Sequence, residues 1–187
     1  MISNFPKALT FVFQNECAYQ PGHYGNLDFV VWEDVPGDTG GLTKWGIDQA
    51  SHPHLDIKAL TQSDATQIYH DEEWTKCRCD DLPDGYDIAI FDIAVNNGMG
   101  TAIQLLQRAL NESGDLSLAI DGHIGLRTLA AAHAGGPPAL RRLLLERQKH
   151  YYDIVTTHPG QMKFLKGWLT RNNTLAALVN INFNAIA

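Results

Sequence analysis

Glu16 is the side chain whose neighbours best suit it to move a proton. It follows Phe13 by three residues and Val12 by four, so on a helix it extends the apolar stripe they form. A carboxylate entering an apolar groove has its charged form disfavoured, which is what a general acid working near neutral pH requires. The same spacing also fits a solvated glutamate at a helix end, or one paired with an arginine. Cleavage of a glycosidic bond needs a second polar group across the scissile bond, either a nucleophile or a base that positions water. Asp34 and Asp38 lie downstream in a glycine-rich stretch, and Thr43 follows Asp38 by five residues. Gly37, Gly40 and Gly41 let backbone approach a sugar closely. An aspartate and the Thr43 hydroxyl, opposite Glu16, can hold a water between them. Taken alone, Asp34 and Asp38 also read as turn formers and Thr43 as a strand residue.

These residues need a helix and a hairpin to position them. Phe5, Ala8, Leu9, Val12, Phe13 and Cys17 recur at helical spacing, which predicts a helix over Phe5–Cys17 capped by Ser3 or Asn4, with Pro6 tolerated in the first turn. Leu27 to Trp32 is rich in β-formers and is followed by the glycine-rich run, so 23–47 reads as a small hairpin or loop lobe. Helices dominate the rest. They are expected from Thr61 or Ser63 to about Lys76, over Tyr86–Asn97, Thr101–Leu110, Gly125–His133 and Pro138–His158, and from Gln161 to about Ile186. Tyr86–Asn97 is apolar almost all round, as a buried central helix is. Tyr19 and Trp45 flank the acid and the threonine, where their rings suit sugar faces; Trp168 reads as core. Asn96 and Asn97 end the central helix, either to donate to N-acetyl groups or to cap it.

Composition narrows the partners. The chain of 187 residues carries 14 basic and 21 acidic residues, a formal charge of −7, and no long Lys/Arg run, so it lacks the patch that nucleic acid requires. Attraction to an anionic wall would be local, through Arg141, Arg142, Arg147 and Lys149. No apolar run approaches the roughly 20 residues of a membrane span. The start, 1–21, lacks a basic region followed by an uninterrupted apolar stretch, so a cytoplasmic origin without a signal peptide is expected, and with it free thiols at Cys17, Cys77 and Cys79. His52, His54 and Asp56, or Cys77, Cys79 and His70, make only partial ligand sets, so no metal or cofactor is expected.

Glu16-Cys17-Ala18-Tyr19 followed by Asp38-Thr39-Gly40-Gly41-Leu42-Thr43-Lys44-Trp45-Gly46-Ile47 resembles the N-acetylmuramidases of glycoside hydrolase family 108. That family's pattern runs Glu-Gly-Gly-Tyr, then Asp-x-Gly-Gly-x-Thr-x-aromatic-Gly-Ile. The segments Leu55–Thr61 and Phe91–Gly98 are similar to its middle part. The segments Leu106–Leu110, Asp121–Gly125 and Gly167–Arg171 are similar to its C-terminal peptidoglycan-binding region. Phage endolysins and phage-derived secretion muramidases belong to the family. The resemblance implies a mainly α, lysozyme-like, two-lobed fold with a small β-hairpin lobe. It implies one domain over 1–187, with a catalytic part to about residue 80 and a helical, peptidoglycan-binding-like part beyond. It further implies a monomer that cleaves the bond between N-acetylmuramic acid and N-acetylglucosamine, reaching the wall through a holin or a secretion system. Glu16 would be the acid, Asp38 the second carboxylate with Thr43, and Tyr19, Trp45, Asn96 and Asn97 the sugar contacts. Cys17-Ala18 replaces the family's Gly-Gly, and 20–32 looks like an insertion, which keeps Asp34 in play beside Asp38, with Glu33 a third carboxylate. A chitosanase or chitinase, or a wall-binding protein without turnover, is the competing expectation.

Overall fold

The computed structural model describes residues 4–34, 40–114 and 117–183. Among them are six α-helices and one three-stranded antiparallel sheet, the mainly α, lysozyme-like make-up expected. The chain forms two compact units: Phe5–Glu72, and Asn4 with the described residues from Glu73 on.

In the first unit α1 spans Phe5–Glu16 and buries Phe5, Ala8, Leu9, Phe11, Val12 and Phe13. Ser3 lies outside the described residues. The β-formers of 27–32 do not make a strand. Asn26 accepts from the backbone N–H of Asp28 at 3.1 Å and starts a 3-10 turn over Leu27–Phe29. This local side-chain bond gives the backbone an alternative to a ladder. An isolated bridge, Tyr19 to Val30, and the Tyr24 hydroxyl, which donates to Gln14 O at 3.1 Å, tie this loop back. The sheet consists of β1 (Glu33–Asp34), β2 (Leu42–Lys44) and β3 (Ile47–Asp48), in that order. Then α2 (Gln62–Tyr69) starts at Thr61, whose capping box with Asp64 satisfies both partners. It stops short of the expected Lys76, because the chain widens into a π-turn at His70–Trp74.

In the second unit α3 (Tyr86–Asn97) is buried continuously from Tyr86 to Ala94. It is followed by α4 (Met99–Ser113), α5 (Leu126–Thr157) and α6 (Met162–Leu178). The joint expected around 133–138 is present: Gly136, at φ 52° and ψ −159°, is not helical and separates two helical stretches within α5. The Tyr86 hydroxyl donates to the Gly136 carbonyl at 2.6 Å and fixes that break. α6 ends before the expected Ile186. Asn180, at φ 58°, turns the chain so that the Ile181 N–H donates back to Ala176 O at 2.8 Å. Residues beyond 183 lie outside the described residues.

Asp92, in the middle of α3, is fully buried between two arginines. Arg147 of α5 donates to one carboxylate oxygen at 2.7 Å, and Arg171 of α6 donates twice to the other, at 3.0 and 2.7 Å. Burial alone would raise the Asp92 carboxyl, but the two guanidiniums outweigh it and hold the group below its ordinary range. Three of the four cations expected to meet a wall are thus engaged elsewhere. Arg147 is buried in this cluster, Arg141 donates to Phe183 O, and Arg142 pairs with Glu112 and Glu146. Lys149 pairs with Asp153. All three cysteines are free and buried, and burial pushes the Cys17 and Cys77 thiols up to about 12 and Cys79 well above its usual value.

Candidate active site

The first unit brings Glu16 against the hairpin that carries Thr43. The link between β2 and β3 is two residues, Trp45 and Gly46, both left-handed at φ 58° and 77°. Two positive φ values in a two-residue link suit the right-handed twist of the strands. A Cβ added at Gly46 would lie 2.8 Å from Glu16 Cβ and 2.5 Å from the Tyr69 hydroxyl. The last side chain of α1 therefore lies directly on the turn, and only glycine leaves room for it. Tyr69, from α2, donates to the Trp45 carbonyl at 3.1 Å and fixes the turn from the other side. Glu16 is half-buried there.

Thr43 is central in the sheet, opposite Glu33 on one strand and Asp48 on the other. Directly opposed residues of an antiparallel sheet share a face. Thr43 is accordingly flanked by two carboxylates, while Asp34, opposite Leu42, falls on the other face. Asp38 lies outside the described residues. The Thr43 hydroxyl donates to Gly41 O at 3.3 Å. Asp48 is brought beside Thr43 by strand register, which spacing along the chain does not show. Burial raises its carboxyl, but hydrogen bonds from Ser51 and Ala50 prevail and keep it below the ordinary range. The Ser51 N–H is 2.8 Å away. A Cβ on Gly40 would come within 3.3 Å of Asp48 Cβ, so the glycine run does permit close approach, to this aspartate.

Trp45 is not a sugar platform. Its indole is buried, donates to Leu60 O at 3.3 Å and leans on Phe13 with ring centres 5.1 Å apart. It belongs to the core that supports the turn. The Tyr19 hydroxyl donates to Phe13 O at 2.8 Å, while its ring meets Tyr24 edge-on at 5.4 Å, and Tyr24 is exposed. Burial is the main cause that pushes the Tyr19 phenol up to about 12. Asn96 and Asn97 belong to the second unit. Asn96 accepts from Arg147 at 3.2 Å and from the Tyr151 hydroxyl at 3.0 Å, and Asn97 Oδ1 lies 3.4 Å from the same hydroxyl. Among the described residues no three His, Cys, Asp or Glu side chains converge as metal ligands do.

Residues 30–98 match the family model described as glycosyl hydrolase 108. That stretch of the chain is similar to the glycosyl hydrolase 108 family. It contains Thr43, Gly46 and Asp48, while Glu16 precedes it and reaches the family region through the contact at Gly46. Residues 101–173 match a model described as "Predicted Peptidoglycan domain". A glycosyl hydrolase region followed by a peptidoglycan domain is the composition of a peptidoglycan hydrolase. Among solved structures, SagA of Brucella abortus is similar over 97% of both chains, with 28% identity and a TM-score of 0.72. A comparison with curated proteins gives no match.

Proposed function

We propose that the chain is an N-acetylmuramidase that cleaves the β-1,4 bond between N-acetylmuramic acid and N-acetylglucosamine, with Glu16 as general acid. The observation that carries this reading is the packing of Glu16 against Gly46, at the end of the hairpin that presents Thr43. Glu16 gives its proton to the glycosidic oxygen as the bond from that oxygen to the anomeric carbon breaks. Water adds to that carbon and surrenders its proton to a carboxylate. In this reading the Thr43 hydroxyl orients that water or steadies the cationic sugar. Asp38 is the second carboxylate by the family pattern, and the separation of the two carboxylates decides inversion or retention.

The test is turbidity loss of outer-membrane-stripped cells, wild type beside Glu16→Gln, with the released sugar ends identified by mass spectrometry. The variant should lose on the order of a hundredfold or more in rate while keeping its melting temperature. Muramic acid at the reducing ends identifies the bond. Clearing that survives the substitution removes Glu16 from the role of acid, and cleavage of chitosan in place of wall makes the enzyme a chitosanase. The biological role we propose is host lysis as a phage endolysin, made in the cytoplasm and released to the wall by a holin or a secretion system. Lysis on co-expression with a holin, and none without one, tests that role.

A further inference from the structure

We propose that the first two turns of α6 lie on an anionic lipid surface, with Met162, Phe164 and Leu165 against the acyl chains and Lys163 and Lys166 at the phosphates. On α6 the residues Phe164, Trp168 and Asn172 stand four apart, and Leu165, Leu169, Asn172 and Ala176 follow at three- and four-residue spacing, so they share one side of the helix. That side is covered at its end and open at its start. Asn172, Leu175 and Ala176 are buried, Leu165, Trp168 and Leu169 are half-buried, and Phe164 and Met162 are 45% and 56% exposed. The helix thus enters the core from outside, with its apolar stripe uncovered for two turns. Trp168 stands at the border, its ring centre 5.3 Å from that of buried Tyr151 and 6.0 Å from that of Phe164.

Charge selects the occupant. The chain has no acidic residue after Asp153, and Lys163 and Lys166, three apart on the open turns, are both exposed. The acidic excess lies wholly in 5–72, with ten acidic residues against three basic ones, while from Glu73 on there are eleven of each. The unit that carries α6 is therefore neutral, and α6 belongs to its acid-free stretch. Lys163 Nζ lies over the Phe164 ring, 4.8 Å from its centre. An ammonium held there reaches a phosphate while the ring enters the hydrocarbon. Gln161 gives α6 no side-chain cap, so the positive end of the helix adds to the two lysines. Protein interfaces are depleted in lysine, and a sugar polymer offers no hydrocarbon to Met162 or Leu165. Lysines beside Met, Phe, Leu and Trp suit the headgroup boundary of a bilayer. The helix lies on that boundary and does not cross it: among the described residues no helix is long and apolar enough to span a membrane.

The experiment is sedimentation of the full-length protein with vesicles of phosphatidylglycerol, beside vesicles of phosphatidylcholine, at low and at high salt. The wild type should pellet with phosphatidylglycerol, come off at high salt and stay in solution with phosphatidylcholine. Lys163→Gln and Lys166→Gln should each weaken binding about fivefold. Met162→Ser combined with Phe164→Ser should weaken it about tenfold or more, at an unchanged melting temperature, because both side chains are exposed. A wild type that stays in solution overturns the proposal, as does a folded double serine variant that binds as tightly as the wild type. Equal binding to phosphatidylcholine overturns the anionic surface. A wild type that is dimeric by light scattering and ignores vesicles overturns it too and gives the face to a second copy. The vesicles hold no glycan, so none of these results touches the muramidase reading, which stands or falls on cell-wall clearing.

Discussion

Trp45 holds a backbone conformation that bulky side chains avoid, at a cost of roughly 1–2 kcal/mol. Its surroundings offset that cost: the indole is buried on Phe13, and its carbonyl accepts from Tyr69. Gly46 beside it has Glu16 and Tyr69 where a methyl would be. Gly46→Ala should therefore move the acid before it unfolds the unit. A displacement on the ångström scale costs on the order of a hundredfold in rate. The expected outcome is a loss of that size in cell-wall clearing, with a much smaller fall in melting temperature. A variant with full activity would show that Glu16 does not depend on the turn. The sugar-contact role expected of Trp45 does not fit its burial. Thr43, Trp45 and Gly46 were legible as a pattern, but Trp-Gly lacks the Asn-Gly signature of a two-residue hairpin, so the inward turn of the indole was not. Asp48 was equally hidden, because its place beside Thr43 comes from register, which spacing along the chain does not show.

At the scale of elements, three helices meet on one carboxylate. Asp92 joins α3 to α5 and α6 through Arg147 and Arg171, and those contacts keep it ionised. A carboxyl held low in the folded protein contributes stability that is complete above its unfolded value, about 3.9, and is lost as pH falls through the folded one. Melting curves should change little on this account between pH 7 and 5 and drop below about pH 4. Asp92→Asn should flatten that acid limb and lower stability at pH 7 by about 3–5 kcal/mol, because two arginines are left without their partner. An acid limb identical to that of the wild type would place the proton uptake elsewhere. α3 was legible end to end, since a segment apolar on every side has to be buried. The aspartate within it was not, because its partners lie far along the chain, 55 and 79 residues away. The break at Gly136 was legible as a joint; its tie to the Tyr86 hydroxyl of α3, 50 residues earlier, was not.

For the whole chain, a net charge of −7 would repel an anionic wall if charge decided binding. Arg141, Arg142 and Arg147, expected to counter it locally, are occupied within the fold. Directed hydrogen bonds and ring stacking do not depend on that charge balance, and salt screens them far less than it screens exposed charges. This property could not be read from composition, which counts cations without showing what they hold. The thiols have a consequence of a different sort. A thiol attacks a disulfide or reacts with an oxidant as its thiolate, and burial keeps Cys17, Cys77 and Cys79 protonated at neutral pH. Thiol exchange at any of the three positions would therefore need the packing around the sulfur to open first, so the core of each unit is also what shields its sulfur chemistry.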